Sequence, residues 1–524
     1  MANALSNGLR LVKAGVTLAR HNALLPPEQS ARLPWPARAV LRLAQLGRRN
    51  DSAGQANDIS AALAELGPSY IKLGQFLSTR PDMIGAARAF ALKSLQDRLP
   101  PFAMAEAKAI VQAELGAPVE TLFAEFGPPV AAASVAQVHK AKRRDGTWVA
   151  VKVLRPGVER RFAADIASFA FAARQMERFS AEGRRLRPVA AVQMLEESMK
   201  LELDLRMEAA ALAEMRANTK DDPGFRLPTV DWALTARRVL TTEWIDGTPM
   251  ADVAALRAKG FDLIALADTV IQSFLRHAIR DGFFHADMHQ GNLMVDDRGT
   301  LVALDFGIMG RLSETDKTVL AEILYGFIVK DYMRVAKVHF DANYVPAHQN
   351  VANFAQALRA IGEPIMDLPA DKISMARLLT QLFEVTEQFD METQPQLLLL
   401  QKTMVVVEGV ARTLNPNLNM WVAAEPVVKN WIERRVGPMG KLEQAGAAAM
   451  ALGNAALNLP DMLDEAHRAT RLLADMAHSG GLKLDAATAA QLAKAQAGAR
   501  RWQSAALYAG AAALVVIAFK LVLA

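Results

Sequence analysis

The stretch that most constrains this chain is residues 283–307, FFHADMHQGNLMVDDRGTLVALDFG. Two short apolar runs flank an Asp-Arg-Gly turn, a pattern that predicts a β-hairpin. Asp287 and Asn292 stand just before the hairpin, and Asp305 follows it directly. Carboxylate and amide oxygens are hard ligands for divalent cations, so Asp305 and Asn292 are candidate metal ligands for Mg²⁺. Asp287 is a candidate for orienting or deprotonating an incoming hydroxyl group.

A lysine on a second predicted hairpin offers a positive charge. Residues 138–154, VHKAKRRDGTWVAVKVL, contain two β-rich runs joined by an Asp-Gly turn. Alternation along the second run places the valines of VAVK on one face and Lys152 on the other. An inward-facing lysine is costly unless it meets an anion, so we expect Lys152 to face one. Many edge strands also end in lysine, so this pattern alone does not indicate a functional site. It becomes informative only together with the segment at 283–307.

Together the two segments follow the order of a protein kinase: phosphate-binding lysine, catalytic loop and metal-binding Asp-Phe-Gly. Divalent ions and Lys152 would neutralise the charge of an ATP phosphate tail, and Asp287 would act on the acceptor. An alternative is that His285, Asp287 and His289 hold zinc or manganese in a hydrolase. That alternative explains three residues, whereas phosphoryl transfer explains the lysine, both aspartates, the asparagine and the glycine in order. We therefore favour phosphoryl transfer, with His285 as a structural prop.

A possible hinge lies between these segments, in residues 237–250, RRVLTTEWIDGTPM. Its apolar, β-rich run ends at Glu243-Trp244-Ile245, the point at which a two-lobed kinase has the hinge whose backbone hydrogen-bonds adenine. We therefore predict nucleotide contacts at Glu243, Trp244 and Ile245. An ordinary strand and turn is the alternative for this stretch taken alone.

With these pieces in order, the chain resembles the UbiB family of atypical kinase-like proteins, which is associated with ubiquinone biosynthesis. LGPSYIKLGQFLSTRPDM holds the Lys-x-Gly-Gln signature, PVAAASVAQVH stands where a protein kinase has its Gly-rich loop, and LELDLRMEAA holds a Glu-x-Asp pair. Residues 397–421 are similar to the C-lobe of the family, so the resemblance covers about residues 60–440. Prolines are usual in the family at Met288 and Gln290, a departure that affects loop rigidity rather than ligand chemistry.

The resemblance implies an α+β, bilobal protein-kinase-like fold with an N-terminal helical cap and a C-terminal transmembrane helix. It implies that Lys152 pairs with Glu208 and that Glu202 faces Lys72. The spacing of the two glutamates lets both lie on one helical face. A solvated acidic face is the alternative for this stretch.

The resemblance also implies ATP/ADP and Mg²⁺ as cofactors, with the metal held by Asn292 and Asp305. The implied nucleotide contacts are Lys152, Glu208, Glu243, Trp244, Ile245 and an alanine loop made of Ala131, Ala132, Ala133, Ser134 and Val135. The residues implied to gate the site are Lys72, Gly74, Gln75, Glu202 and Asp204.

Composition and charge exclude several classes of function. The chain has 524 residues and no cysteine, which excludes disulfides, thiolate metal sites and a cysteine nucleophile. Eight basic side chains and one acidic side chain give residues 1–50 a net charge of +7, which leaves −2 for the other 474 residues. A net charge so close to zero over those 474 residues argues against nucleic-acid binding. The sequence carries no flavin motif, so we reject direct hydroxylation.

Both termini predict membrane contact. Leucines and valines alternate with Arg10, Lys13 and Arg20, which favours a basic amphipathic helix on anionic membrane lipid. A solvated face followed by a Pro-rich connector is the alternative. Residues 503–524, QSAALYAGAAALVVIAFKLVLA, carry one charge and are long enough to span a bilayer, with a buried terminal helix as the alternative. Two preceding arginines favour the cytoplasmic side, so we expect an inner-membrane protein with a cytoplasmic catalytic domain.

We divide the chain into six parts. They are a basic arm (1–60), a helical cap (61–115), a kinase-like N-lobe (116–248), a kinase-like C-lobe (249–437), an Ala-rich helical connector (438–502) and a transmembrane anchor (503–524).

The function that the resemblance implies is that of a membrane-anchored, Mg²⁺-dependent atypical kinase or ATPase. It would support ubiquinone biosynthesis and act on or near polyprenylated lipid intermediates. A nucleotide-sensing scaffold that organises other ubiquinone-biosynthesis enzymes is the alternative. An ordinary protein kinase is disfavoured by the alanine loop and by the Lys72 segment.

Overall fold

The structure, a computed structural model, describes residues 2–21, 23, 58–78, 84, 91–92, 99–179, 187–366, 384–385, 388–391 and 395–436. The predicted Ala-rich connector (438–502) and the predicted anchor (503–524) lie outside the described residues. Among the helices of the described part, none combines the length and the apolar character needed to cross a bilayer.

The elements are numbered in chain order. The helices are α1 (Ala2–Arg20), α2 (Asp58–Leu66), α3 (Pro68–Ser78), α4 (Met104–Leu115), α5 (Val119–Leu122), α6 (Val158–Phe179), α7 (Pro188–Glu202), α8 (Leu205–Asn218), α9 (Val253–Ala258), α10 (Leu263–Arg276), α11 (Glu314–Ile328), α12 (Tyr332–Asp341), α13 (Val351–Met366), α14 (Pro395–Leu414) and α15 (Met420–Val436). The strands are β1 (Phe123–Ala132), β2 (Ala136–Arg143), β3 (Trp148–Leu154), β4 (Phe225–Arg226), β5 (Val239–Glu243), β6 (Gly247–Pro249), β7 (Phe283–His285), β8 (Leu293–Asp296), β9 (Leu301–Ala303) and β10 (Met309–Arg311).

A four-stranded antiparallel sheet, in the order β1-β2-β3-β5, forms the small lobe. The hairpin predicted within residues 138–154 is confirmed as β2 and β3. Gly146 has φ +90°, which suits the left-handed backbone of its turn. Val149 and Val151 are buried in an apolar cluster with α4. Strand alternation therefore turns Lys152 to the opposite face of the sheet.

Four helices, α2, α3, α6 and α7, pack together beside this sheet, and we call this group the cap. It differs from the predicted segment 61–115, because α6 and α7 come from the predicted N-lobe and α4 is not part of the group. Its apolar cluster includes Ile71 of α3 and Phe162 of α6, together with Leu154 from the end of β3. The Tyr70 ring meets the Phe169 ring edge-on, with 5.0 Å between centroids. The cap is thus joined to the strand that carries Lys152.

The N-terminal helix α1 lies on α6 of the cap. Ala14 and Ala19 are buried, and Arg10 donates a hydrogen bond to Asp165 at 3.0 Å. The helix keeps an outer face, because Leu9 is 69% exposed and Val12 is 63% exposed.

The relation between Glu202 and Glu208 differs from the prediction. The spacing allowed both glutamates to lie on one helical face, but they lie on two helices, because α7 ends at Glu202 and α8 begins at Leu205. Asp204 has an extended backbone (φ −121°), and its side chain accepts a hydrogen bond from the Arg206 backbone N–H at 3.1 Å. This N-cap starts a new helix and breaks the helical register between the two glutamates.

The large lobe is mostly helical and consists of the elements after β5 together with β4, which precedes β5 in the chain. Its core includes Phe274 of α10, Phe284 of β7, Val295 of β8 and Val410 of α14. The strands form one sheet in the order β4-β9-β8-β6 and a separate pair, β7 with β10. The hairpin predicted within residues 283–307 is confirmed as β8 and β9, with Gly299 at φ +80° in its turn.

Gly310 of β10 lies directly opposite Phe284 of β7. A Cβ atom at position 310 would overlap the Phe284 ring, which is fully buried and cannot swing into solvent. Glycine at this position therefore allows the pair of strands to form.

We expect Gly310→Ala to lower the free energy of unfolding by roughly 1–3 kcal/mol, because overpacking forces the ring or the strand to move. Urea denaturation of the purified protein measures this change. Gly409→Ala on the exposed face of α14 is the matched control, since a Cβ there meets nothing within 4 Å in the described part of the chain. The control should be neutral or stabilising by up to about 1 kcal/mol. Equal stability of the two variants would contradict the packing argument.

Candidate active site

Lys152 lies between two carboxylates that come from distant parts of the chain. Its Nζ donates to the two Glu208 carboxylate oxygens, at 2.7 Å and 2.9 Å. The same Nζ donates to Asp305 Oδ2 at 3.1 Å. Glu208 is 56 residues and Asp305 is 153 residues away in sequence, so only the tertiary fold brings them together. The structure thus pairs Lys152 with Glu208, as the resemblance implied, and also places it in contact with Asp305.

The charges of this cluster shift one another's pKa values. Burial alone would lower the pKa of Lys152, but the charges of Asp305 and Glu208 outweigh burial and raise that pKa well above its ordinary value. Desolvation alone would raise the pKa of Asp305, but Lys152 holds it well below its usual range. The pKa of Glu208 is raised, chiefly by burial. Asp305 is therefore ionised at neutral pH and, with 42% of its side chain exposed, is accessible to a cation.

Asn292 and Asp305 stand at the same end of the β8–β9 hairpin. The Leu304 backbone N–H donates to the Asn292 carbonyl at 3.0 Å, immediately before Asp305. Asn292 Nδ2 donates to the Asp287 carbonyl at 3.0 Å, which leaves the amide oxygen as the ligand atom of that side chain. Asp305 Oδ1 accepts a hydrogen bond from the Gly307 N–H at 3.0 Å. The hairpin therefore places one carboxylate and one amide side by side.

His285 supports the loop that carries Asp287. The ring is 1% exposed, and its Nδ1 accepts a hydrogen bond from the Asp287 backbone N–H at 3.1 Å. Burial lowers the pKa of His285 to about 4, so the ring is neutral at physiological pH. The Phe306 ring packs against it, with 5.2 Å between centroids.

The alternative metal site made of His285, Asp287 and His289 does not form. His289 Nε2 lies 3.6 Å from Asp287 Oδ2, while Nδ1 of the buried His285 is bonded to the backbone. Nowhere in the described ranges do three or more His, Cys, Asp or Glu side chains converge as metal ligands. The alternative of a zinc or manganese trio, which the sequence analysis did not favour, finds no support among the described residues.

The alanine loop starts with the last two residues of β1, Ala131 and Ala132, leads to β2, and is held by two hydrogen bonds. The Ala133 N–H donates to the Ala136 carbonyl at 2.8 Å, and Arg155 Nε donates to the Ala133 carbonyl at 2.9 Å. Ser134 and Val135 are buried. The loop is therefore bonded to the start of β2 and to Arg155, directly after β3.

The Lys-x-Gly-Gln segment lies in α3. Lys72, which is 6% exposed, forms an ion pair with Glu202, as the resemblance implied. Gly74 is buried, and the side-chain oxygen of Gln75 is buried without a hydrogen-bond partner among the described residues. Asp204 instead caps α8 and pairs with the Arg206 guanidinium at 2.6 Å. The gating role of these residues stays a prediction.

The stretch predicted as a hinge lies at the end of β5, where the small lobe adjoins the large lobe. The Glu243 N–H donates to the Thr229 carbonyl at 2.8 Å, and the Trp244 N–H donates to the Trp148 carbonyl at 3.2 Å. Ile245 is buried. Two of the predicted backbone donors are therefore engaged within the protein, and contact with adenine stays a prediction.

Arg226 ties this stretch to the large lobe. One guanidinium nitrogen donates to Glu243 and another to Asp296 of β8, both at 2.9 Å. The arginine therefore joins the last residue of β5 to the hairpin that precedes Asp305.

Comparisons with known proteins identify the family of this chain. Residues 94–339 match the ABC1 atypical kinase-like domain, and residues 358–419 match the UbiB helical domain. The probable protein kinase UbiB of Marinobacter nauticus is 43% identical over 387 residues, which cover 73% of this chain and 71% of that protein. The chain belongs to the UbiB family. Its expected α+β, protein-kinase-like fold is thereby confirmed, whereas the predicted transmembrane helix falls outside the described residues.

Other similar proteins carry the same description. The probable protein kinases UbiB of Azotobacter vinelandii and Pseudomonas aeruginosa are each 41% identical to this chain, and each match covers 78% of both proteins. A solved structure, the complex of Rv3197 with erythromycin from Mycobacterium tuberculosis, is 24% identical, with a TM-score of 0.46. That match covers 77% of this chain and 99% of the solved one.

Two residues that the sequence analysis missed hold the site of this UbiB-family chain in place. Thr403 of α14, within the UbiB helical domain, shares its hydroxyl proton between the Ala286 carbonyl at 3.1 Å, next to Asp287, and the Leu399 carbonyl at 2.8 Å. Arg155 bonds the alanine loop and also donates to the Pro100 carbonyl at 2.8 Å. A lone threonine in an apolar helix carries no sequence signal. An arginine directly after VAVKVL is a signal that could have been used.

We expect His285 to make stability fall with acid. The folded protein resists protonation of this ring, while the unfolded chain protonates it near pH 6.5, so the stability is complete above pH 6.5 and declines towards pH 4. Between pH 7 and pH 5 the expected loss from this group is about 2 kcal/mol.

Urea denaturation at both pH values measures this loss. His285→Asn, whose amide oxygen can still accept the Asp287 N–H, should show a smaller decline. His348→Asn, at a side chain that is 70% exposed, is the control and should behave like the wild type. An equal decline in all three proteins would show that His285 does not protonate as described.

Proposed function

We propose that this UbiB-family protein binds ATP with Mg²⁺ and either hydrolyses it or transfers its terminal phosphoryl group to a small, lipid-like acceptor, in support of ubiquinone biosynthesis. One observation carries the proposal: the Lys152 ammonium group stands between Glu208 and Asp305, at 2.7 Å and 3.1 Å. An ammonium group so placed can hold a phosphate tail while Asp305 holds a cation.

The ligand atoms suit magnesium, which prefers oxygen ligands and few protein groups. Asp305 is ionised and 42% exposed, and Asn292 offers an amide oxygen at the same end of the hairpin. Bound Mg²⁺ would supply charge neutralisation for the phosphates. Lys152 would hold the phosphates beside Asp305. Asp287, which is 35% exposed, would orient the acceptor hydroxyl and take its proton.

The closed alanine loop supports a small acceptor rather than a protein. Glycine-rich loops adjust to a ligand because glycine adopts positive φ freely, whereas alanine restricts that freedom. Here the loop is also bonded to Arg155 at 2.9 Å. The buried Lys72–Glu202 pair joins α3 to α7 within the cap, and the cap packs on Leu154 at the end of β3 in the same lobe. Both features favour a restricted site over one that accepts a protein chain.

The outer face of α1 supports action at an anionic membrane, where polyprenylated ubiquinone intermediates dissolve. Leu9 and Val12 are exposed beside Lys13, and no acidic residue occurs before Glu28. Such a face suits the interface between headgroups and acyl chains. In this proposal the anchor predicted at 503–524 keeps the catalytic domain on the cytoplasmic side of the inner membrane.

We expect Asp305→Asn to lower Mg²⁺-dependent phosphate release by about 100-fold or more, because a charged ligand for the metal is lost. Phosphate release from the purified protein, with and without anionic liposomes and a polyprenylated phenol, measures this effect. The matched control is Asp297→Asn in the neighbouring turn, where the side chain is 75% exposed and pairs only with Lys259 among the described ion pairs. Equal release by wild type and Asp305→Asn would remove the ATPase assignment.

A second candidate function is a nucleotide-sensing scaffold that organises other ubiquinone-biosynthesis enzymes. The bond from Lys152 to Asp305 Oδ2 favours it, because this bond occupies an oxygen that a metal would use and so suits slow turnover. A scaffold needs only nucleotide binding, whereas a kinase also needs Asp287 as the general base.

Asp287→Asn separates these two functions. We expect this variant to bind ATP as the wild type does, to lose turnover by roughly 100-fold or more, and to fail to restore ubiquinone in cells that lack the protein. Calorimetry measures binding, and the ubiquinone content of the complemented cells measures function. Full restoration of ubiquinone by a variant without turnover would favour the scaffold.

A further inference from the structure

Helix α8, which carries Glu208, is bonded to both lobes. At its first residue the Leu205 N–H donates to the Arg237 carbonyl of the small lobe at 2.9 Å. At its last residue the Asn218 carbonyl accepts a hydrogen bond from Arg280 of the large lobe at 3.1 Å. The position of Glu208 therefore depends on contacts at both ends of the helix.

The end of α8 is held by a buried charge cluster. Asp222, with 3% of its side chain exposed, accepts hydrogen bonds from Arg280 and from His277 Nε2, the latter at 3.2 Å. His277 and Arg280 belong to a π-helical turn, residues 277–281, which leads directly into β7. Asp222 and His277 are buried, so removing either would disturb the fold as well as the helix.

A second contact of α8 is an exposed ion pair between Glu214 and Arg311, which we call the tether. Arg311 of β10 donates to the two carboxylate oxygens of Glu214 at 2.8 Å and 2.9 Å. Its guanidinium also stacks over the Phe283 ring of β7, 4.4 Å from the centroid. The pair is 65% and 43% exposed, so it contributes little to global stability.

The two strands at this tether frame the candidate active site. β7 leads into the loop with Asp287, and β10 follows the segment with Asp305. We propose that Glu214 and Arg311 are positioning residues: they fix α8 to this strand pair, keep Glu208 bonded to Lys152, and so limit the hold of Lys152 on Asp305. The inference rests on the proposed function in one respect, namely that Asp305 binds the metal.

Removing each charge of the tether in turn, and then exchanging the two charges, tests the proposal. Glu214→Gln and Arg311→Gln should each raise amide hydrogen exchange in residues 205–218. Each should also raise the Mg²⁺ concentration for half-maximal phosphate release by roughly two- to tenfold, because Lys152 then competes with the metal for Asp305. The double variant Glu214→Arg/Arg311→Glu restores an ion pair and should return both quantities towards the wild type. Asp297→Asn is again the control.

Each outcome decides the proposal. Unchanged exchange in both single variants, or a charge-reversed pair that fails to restore exchange, would overturn it. Raised exchange with an unchanged Mg²⁺ requirement would also overturn it, because the tether would then act on the helix without acting on the site. Hydrogen exchange needs no turnover, so a wild type without Mg²⁺-dependent activity would refute the proposed function while exchange still tested the tether.

Discussion

The ammonium group of Lys152, held between Glu208 and Asp305, is the interaction on which the rest of the structure depends. A lysine that is only 16% exposed needs anionic partners, and Glu208, at 8% exposure, needs a cation. Removing one member of such a buried pair typically costs about 3–5 kcal/mol, because the other charge stays buried and unpaired. The sheet, helix α8 and the β8–β9 hairpin must therefore meet at one point.

The surrounding elements keep Lys152, Glu208 and Asp305 in contact. β3 is fixed by its neighbours in the sheet and by the cap, and α8 is bonded at both ends. The loop with Asp287 is supported by neutral His285 from within and by Thr403 from the UbiB helical domain. The cluster combines a fixed ammonium group with one accessible carboxylate, an arrangement suited to a metal-bound phosphate.

The sequence predicted those parts that local chemistry determines. Both hairpins follow from turn glycines and strand alternation, and the order of Lys152, Asp287, Asn292 and Asp305 indicated the site. The break between Glu202 and Glu208 was missed because Asp204 can end one helix and cap the next, and spacing alone does not distinguish this from a continuous helix. The bonds of Thr403 and Arg311 join residues about 100 positions apart or more, and no local pattern encodes them.

Labelling with an acyl phosphate of ATP tests the central claim most directly, because this reagent acylates a lysine that lies beside the bound phosphates. After digestion, mass spectrometry identifies the modified lysine in the full-length protein. The account predicts the label on Lys152, blocked by excess Mg²⁺–ATP and lost in Asp305→Asn. A label confined to other lysines, or one on Lys152 that excess nucleotide does not block, would contradict the account.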